Sequence, residues 1–226
     1  MFDLKEFISR VPVVGSIARR IYYATYTFPG SESYWEQRYS SGGHSGAGSY
    51  GKFAEFKAEV LNDFVRENDV GSIIEYGCGD GNQLKLAAYP KYLGFDVSAT
   101  AIDMSRRLFA DDPTKQFRLM SDYAGDTADL TLSLDVIYHL VEDAVFEAYM
   151  RRLFESATRF VIVYSSNTDD AVDSGATHVR HRQFTRWVDA NITGWSLMRH
   201  VPNAFPYAGD HRKGSFADFF IYQRKD

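Results

Sequence analysis

Cysteine is almost absent from this chain, and so are other features that mark specialised protein classes. Cys78 is the only cysteine, which excludes an internal disulfide and a cysteine-based zinc site. No apolar run approaches the roughly 20 residues that a membrane-spanning helix needs. The net charge of −5 gives no overall footprint for nonspecific nucleic-acid binding. The sequence therefore predicts a cytoplasmic protein with no membrane span and no nucleic-acid partner.

The first 20 residues also lack the pattern of a secretion signal. Their short apolar stretch is broken by Pro12 and Gly15, and acidic residues precede it. A secretion signal begins instead with basic residues. We expect an N-terminal helix packed on the domain. A membrane-surface helix beside Arg19 and Arg20 is the alternative.

The remaining composition is that of an ordinary globular protein. The chain has 226 residues, of which 45% are hydrophobic and 24% are charged, so one domain can bury a sizeable core. No internal repeat is present. We expect a single domain over 1–226, with a helical cap and a glycine-rich lid in 1–68 and a core in 69–226. Residues 40–51, rich in glycine and serine, predict a mobile loop.

Apolar strand-like runs alternate with helical patterns along most of the chain. Such alternation predicts a mostly parallel sheet covered by helices on both faces. The last two strands are joined without a helix, so they should pair antiparallel. We expect strands over 72–76, 92–96, 116–120, 129–134, 159–165, 195–201 and 217–223, and helices over 53–65, 82–89, 99–110, 142–157 and 183–190.

The most informative segment is 73–81, which reads Ile-Ile-Glu-Tyr-Gly-Cys-Gly-Asp-Gly. Its apolar run suits a buried parallel strand, and its glycines let the backbone turn sharply beside a ligand. Glu75 adds negative charge that a pyrophosphate would not favour. A ligand that carries an amine and a sulfonium suits this turn better.

This segment resembles motif I of the class I S-adenosylmethionine-dependent methyltransferases. The acid and all three glycines of that motif are present. The resemblance implies a Rossmann-like, three-layer α/β sandwich. Its seven-stranded, mostly parallel sheet has an antiparallel last strand, and a helical cap precedes it. S-adenosylmethionine is the implied cofactor and S-adenosylhomocysteine the product, with no metal expected.

Cofactor residues are expected where strands end, because ligands of open parallel sheets lie beyond the carboxyl ends of the strands. Asp96 follows Gly77 by 19 positions. An acid that binds the ribose hydroxyls of a nucleotide cofactor follows the glycine motif at a similar spacing of ~20 residues. The resemblance assigns the adenine amino group to Asp122 and the methionine end to the segment 133–140. The predicted cofactor-binding residues are Glu75, Gly77, Cys78, Gly79, Gly81, Asp96, Val97, Ser121, Asp122, Tyr123, Leu134 and Asp135.

Two histidines are candidates for the catalytic base that an alcohol acceptor needs. His139 follows the fourth strand, where the resembled family faces its acceptor. A packed histidine in the cavity wall is the alternative. His44 lies in the glycine-rich loop, which could close as a lid.

Acceptor-binding residues are predicted on both sides of the core. Arginines after the fifth strand would favour a carboxylate or phosphate, although a solvated basic loop is an alternative. Catechol-type methyltransferases hold magnesium with acids after the fourth and fifth strands. A likeness to them would imply a magnesium site at Asp135, Asn167, Asp169 and Asp170, which lie in comparable regions. The predicted acceptor-binding residues are Tyr34, Trp35, Tyr39, His178, Arg180, His181 and Arg182.

These patterns predict a methyltransferase that acts on a small molecule, with a hydroxyl as the favoured acceptor. Methylation of a nitrogen or of a protein is one alternative. A cofactor-binding scaffold without turnover and an NAD-linked oxidoreductase are two more. The oligomeric state is not predicted.

Overall fold

The computed structural model describes residues 28–170 and 176–225, and the predicted N-terminal helix lies outside them. The described residues form five α-helices and seven strands. In chain order these are α1 (Ser31–Ser40), α2 (Gly51–Glu67), β1 (Ile73–Tyr76), β2 (Tyr92–Asp96), α3 (Ala99–Leu108), β3 (Lys115–Leu119), β4 (Ala128–Leu134), α4 (Asp143–Glu155), β5 (Ala157–Ser165), α5 (Phe184–Asn191), β6 (Trp195–Val201) and β7 (Asp218–Arg224).

The strands form one sheet in the order β3-β2-β1-β4-β5-β7-β6. Strands β1 to β5 run parallel, whereas β7 pairs antiparallel with β5 and β6. The order reverses at β1, whose neighbours are β2 and β4. Ligands of open α/β sheets bind at such a switch point.

Helices cover both faces of the sheet and make three layers. On one face, Leu61 and Phe64 of α2 pack with Leu130 and Leu132 of β4. On the other face, α4 and α5 pack against the alternate residues of the strands. Side chains along a strand alternate between faces, and both layers are needed because these strands are buried on each side.

The predicted α/β fold, with a seven-stranded sheet and an antiparallel last strand, is confirmed. Each predicted strand is present, with boundaries that differ by at most two residues. The helix predicted over 82–89 is wrong, because only a 3-10 turn forms at Gln83–Leu86. This short turn offers no α-helical N-terminus to a ligand. The glycine-rich run contains a 3-10 turn of its own, Ala47–Ser49.

Candidate functional site

The glycine turn after β1 has a backbone that glycine alone adopts readily. Gly77, Gly79 and Gly81 have φ angles of 83°, 60° and 75°, which disfavour any residue with a Cβ atom. A Cβ atom on Gly79 would lie 2.9 Å from the Tyr39 hydroxyl and would clash with the Ser45 hydroxyl. The turn is therefore fixed both by its own conformation and by the segment packed over it.

Glu75 is a buried carboxylic acid on the face of β1 that lies towards α2. It accepts a hydrogen bond of 2.6 Å from the Tyr92 hydroxyl. Burial raises its pKa to about 7, against the lowering effects of the Tyr92 bond and of the Lys57 ammonium. A cationic ligand would favour the ionised form of this acid.

Asp96 ends β2 and joins the glycine turn to the start of α3. Its two carboxylate oxygens accept from the backbone N–H groups of Gly79 and Ser98, both at 2.9 Å. Burial raises its pKa to about 6, although these two bonds oppose the rise. A carboxylate oxygen has a second lone pair, so Asp96 can still accept from the ribose hydroxyls that the sequence predicts.

The segment 41–49 lies over the glycine turn and is bonded to it. The Ser45 N–H donates to Asp80 Oδ2 at 3.0 Å, and the Asp80 N–H donates to Ser45 Oγ at 3.1 Å. The Tyr50 hydroxyl also donates to Asp80 Oδ2 at 3.0 Å. Burial raises the pKa of Asp80, but bonds from Ser45 and Asn82 outweigh it and leave the pKa lowered. The segment that is predicted to act as a lid therefore packs on the glycine turn.

Helix α1 crosses the site and is anchored at two places by carboxylates. Glu142 accepts from the Ser31 N–H at 3.0 Å and from the Ser31 hydroxyl at 2.6 Å. Glu36 accepts from the hydroxyls of Ser98 and Thr100, both at 2.6 Å. Among residues of α1 only Ser31 and Tyr39 are buried, so polar contacts supply much of its attachment.

An ion pair lies where β4 ends. The Lys57 ammonium donates to Asp135 Oδ2 at 2.7 Å, and the Tyr138 hydroxyl donates to Asp135 Oδ1 at 2.8 Å. Asp135 has a φ angle of 60°, a left-handed conformation that is uncommon outside glycine. Such strain concentrates at functional sites.

His139 is held by aromatic rings and by one backbone group. Its Nδ1 lies 3.0 Å from the carbonyl oxygen of His178. Its ring stacks on that of His178 and meets the edge of Trp35, with centroids 5.4 and 4.9 Å apart. The ring of Tyr34 stacks in turn on the ring of His178, with centroids 4.5 Å apart. Burial lowers the pKa of His139 to about 4, so the ring is neutral at physiological pH.

These elements enclose one cavity of about 620 Å³, called the main cavity below. Its volume lies within the roughly 300–1,000 Å³ of small-molecule sites. Its wall contains the carboxylates of Glu75, Asp96 and Asp135 together with many apolar side chains, a combination that fits a cationic nucleoside donor and an acceptor beside it. Of the predicted residues, those that line it are Glu75, Gly77, Cys78, Gly79, Asp96, Val97, Leu134, Asp135, His139, Trp35 and Tyr39.

Other predicted cofactor residues lie near the main cavity but do not line it. Ser121 and Asp122 are exposed on a 3-10 turn after β3. Tyr123 donates or accepts a 2.9 Å bond with Ser156 and packs against Phe95. Gly81 lies behind the turn, where a Cβ atom would meet Ser105 at 2.9 Å. Met120, the first residue of the 3-10 turn that contains Ser121 and Asp122, lines the cavity instead of them.

The predicted second base, His44, is exposed. Its Nδ1 accepts from the Gly46 N–H at 3.0 Å, and its carbonyl oxygen accepts from Arg38 at 2.7 Å. Its ring lies against Tyr50, outside the wall of the main cavity. The closed segment thus contributes Ser45 and Ser49 to the wall instead.

The basic cluster after β5 lines a separate groove. Arg182 donates to the carbonyl oxygens of Leu140 and Val141 at 2.8 and 2.9 Å. Arg180 also bonds Val141, at 3.0 Å, and pairs with Asp143 at 2.9 Å. These contacts tie the cluster to the segment that carries His139. His181 bonds Ser166 through Nδ1 at 2.6 Å.

The metal alternative finds no geometric support in 28–170 and 176–225. No three His, Cys, Asp or Glu residues there are grouped as a metal site requires. Asp135 is paired with Lys57, and Asp169 with Arg186 at 3.2 Å.

Sequence reasoning missed Lys57, Glu36 and Glu142. Lys57 carried a usable signal, because it lies four residues after Phe53 and four before Leu61, on the apolar stripe of α2. A charged residue on a buried face needs a partner. Glu36 and Glu142 gave no such signal, since their partners lie 62 to 111 positions away.

Comparison with known proteins gives the family of this fold and site. The family model described as "Methyltransferase domain" matches residues 50–205. No curated protein matches the chain. The solved N-methyltransferase NodS from Bradyrhizobium japonicum WM9, in complex with S-adenosylhomocysteine, is 14% identical, with 86% of this chain and 98% of that chain covered and a TM-score of 0.66.

Two further solved structures share the fold. Magnesium protoporphyrin IX methyltransferase from Synechocystis PCC 6803, with bound SAM, is 16% identical; 93% of this chain and 96% of that chain are covered, at a TM-score of 0.57. The methyltransferase domain of bacterial CtHen1 is 19% identical, with 75% and 98% covered and a TM-score of 0.57. At these identities the likeness shows the fold alone.

Proposed function

The chain belongs to the methyltransferase-domain family of class I S-adenosylmethionine-dependent enzymes, and we propose that it methylates a hydroxyl group of a small molecule. The observation that carries the proposal is the neutral, oriented imidazole of His139 in the wall of the main cavity. Family membership removes the support for an NAD-linked oxidoreductase.

The way in which the main cavity is covered supports the proposal of a small acceptor. Helix α1 and the segment 41–49 cover it, anchored by Glu142, Glu36 and Asp80. A protein side chain would need a path past these anchors. The wall beside His139 is largely apolar, with Trp35 as its largest ring, so an acceptor with an apolar or aromatic framework fits it.

When bound, the donor would supply a methyl group on a sulfonium. The acceptor oxygen attacks this methyl carbon in line as the carbon–sulfur bond breaks, and the sulfur leaves as a neutral thioether. Enclosure of the site positions the reactants and excludes water, which accounts for much of the acceleration of such reactions. Because a carbonyl oxygen can only accept, the His139 Nδ1–H must be the donor in its bond to His178. The lone pair is then on Nε2, which can accept the hydroxyl proton as the new carbon–oxygen bond forms.

The lowered pKa of His139 has three consequences for this role. The ring stays unprotonated over the physiological range and is always ready to accept. Its conjugate acid is a stronger acid than an ordinary imidazolium, so the ring can release the proton to water readily after each turnover. A neutral ring also avoids electrostatic repulsion with the positively charged sulfonium of the donor.

We propose a cytoplasmic location and no metal requirement. The single cysteine and the absence of a bilayer-length helix in the described residues are the observations behind the first part. The engaged carboxylates, Asp135 with Lys57 and Asp169 with Arg186, support the second.

The test is a panel of small acceptors incubated with methyl-labelled S-adenosylmethionine, followed by mass spectrometry. We expect label on the oxygen of phenols or alcohols and none on matched amines. Label only on nitrogen, or only on protein, would replace the proposal by one of its alternatives. No label on any acceptor, with intact cofactor binding, would favour a scaffold.

A further inference from the structure

Lys57 is a buried cation that neither fold nor methyl transfer by itself requires. Its side chain is 1% exposed and lies among the apolar residues of α2. A buried ion pair contributes little to stability compared with apolar side chains of similar size. A methionine at this position would tie α2 to β4 by packing alone, so the charge calls for another explanation.

The Lys57 ammonium acts on two carboxylates at the switch point of the sheet. It pairs directly with Asp135 at 2.7 Å. It also acts electrostatically on Glu75. Glu75 is on β1 and Asp135 follows β4, and these strands are neighbours. All three residues line the main cavity.

The net charge of this trio is therefore set by one residue. With both acids ionised, two negative charges and one positive charge leave a single negative charge. Without Lys57 the two remaining carboxylates, Glu75 and Asp135, carry two negative charges. Arg152 is the other Lys or Arg in the described wall, and its guanidinium lies over the Tyr123 ring at 5.1 Å, at the β3 side of the cavity.

The methyl-transfer reaction changes the charge of the molecule in this site. The donor carries a sulfonium that its product lacks, so the donor has one positive charge more. We propose that Lys57 is a specificity-determining residue that sets how strongly the site distinguishes S-adenosylmethionine from S-adenosylhomocysteine. By cancelling one carboxylate it limits the preference for the donor.

The two partners of the ion pair make opposite predictions. Lys57→Met makes the net charge of the trio more negative and strengthens the preference for the donor. Asp135→Asn makes this net charge less negative and weakens that preference. A residue that only holds the fold would change the affinity for both ligands alike and leave their ratio unchanged.

The experiment is calorimetric titration of each variant with S-adenosylmethionine and, separately, with S-adenosylhomocysteine. A pH of about 8.5 keeps the carboxylates ionised. Lys57→Arg keeps the charge, and Lys52→Met removes an exposed lysine of the same helix that bonds Lys213 instead. Both serve as matched controls.

We expect Lys57→Met to raise the ratio of product Kd to donor Kd by about tenfold, the order of magnitude for one charge acting through partly buried protein. Asp135→Asn should lower that ratio, and both controls should keep the wild-type value. Equal weakening of both ligands by Lys57→Met, or a ratio that Asp135→Asn does not lower, would overturn the proposal.

Two features keep the test decisive. If Lys57→Met does not fold, Asp135→Asn alone still has to lower the ratio. No methyl acceptor is used, so the outcome is independent of the proposed hydroxyl chemistry.

Discussion

Ser45 and Asp80 exchange two hydrogen bonds across the glycine turn, at 3.0 and 3.1 Å. This reciprocal contact links the lid segment 41–49 to the glycine turn, together with a bond of 2.7 Å from the Asn82 side chain to the Ser49 carbonyl oxygen. Because the lid is rich in glycine, little else in its own sequence orders it. We therefore expect this contact to govern how long the segment stays packed on the turn.

Ser45→Ala should open the lid more often, because the Asp80 N–H loses its acceptor. We expect S-adenosylhomocysteine to dissociate several-fold faster, within the ~0.5–1.5 kcal/mol of one hydrogen bond, with little change in Tm. Stopped-flow displacement measures the rate. Ser41→Ala, whose hydroxyl donates to the Arg38 carbonyl oxygen of α1, is the control and should keep the wild-type rate. Equal rates for all three proteins would contradict this role of the lid contact.

Gly79→Ala should abolish most donor binding. The φ angle of 60° strains an alanine, and its methyl group would collide with Ser45 and Tyr39. Gly125→Ala is the matched control, since Gly125 has a φ angle of 87° but nothing within 4 Å of its added Cβ. Both variants bear a strain of about 1 kcal/mol. Calorimetry should show affinity lost in the first and kept in the second. A similar loss in both would mean that general strain, and not the shape of the turn, is responsible.

Binding of S-adenosylmethionine should release protons near pH 6.5. Burial raises the pKa of Glu75 to about 7 and that of Asp96 to about 6. The cationic donor favours their ionised forms, so the affinity should increase as the pH rises from about 5.5 to 7.5 and then level off. Calorimetry in buffers with different ionisation enthalpies counts the protons. Glu75→Gln should reduce the count, and proton uptake instead of release would contradict the assignment.

Glu75 and Asp96 also determine how the stability of the ligand-free protein changes with pH. Their pKa values in the folded state are raised above the ordinary 4.5 and 3.8. The stability that they contribute is therefore fully present below those ordinary values and is lost as the pH rises through about 6 to 7. Urea titrations should show a smaller loss over this range for Glu75→Gln. An unchanged loss would assign the effect to other groups.

His139→Ala should reduce kcat for a hydroxyl acceptor by about 10²-fold, the usual contribution of a general base. The KM for S-adenosylmethionine should change little, because His139 is proposed to contact the acceptor hydroxyl and not the donor. The kcat of the wild type should show no fall between pH 8 and 5 that belongs to His139, since its pKa is about 4. Initial rates across this range test both points. A kcat for the hydroxyl acceptor that His139→Ala leaves unchanged would contradict the role of His139 as the base.

The strands were predictable because each is a compact apolar run bounded by turn residues. The place of Glu75 and Asp96 at the main cavity was predictable from the sequence. Each lies at the end of an apolar strand, and Asp96 follows the glycine motif at a recognisable spacing. The wrong helix at 82–89 has a physical reason: Pro90 ends the segment too soon, and Gln83–Leu86 forms only a 3-10 turn. Lys57 was missed because its partner, Asp135, lies 78 positions away.

The crystal structure of the complex with S-adenosylhomocysteine tests the central claim most directly. The account predicts the ribose hydroxyls on Asp96, the sulfur in the main cavity, and His139 Nε2 facing the free volume beyond the sulfur. A ligand bound elsewhere, or a His139 ring whose Nε2 is turned away from that volume, would contradict it.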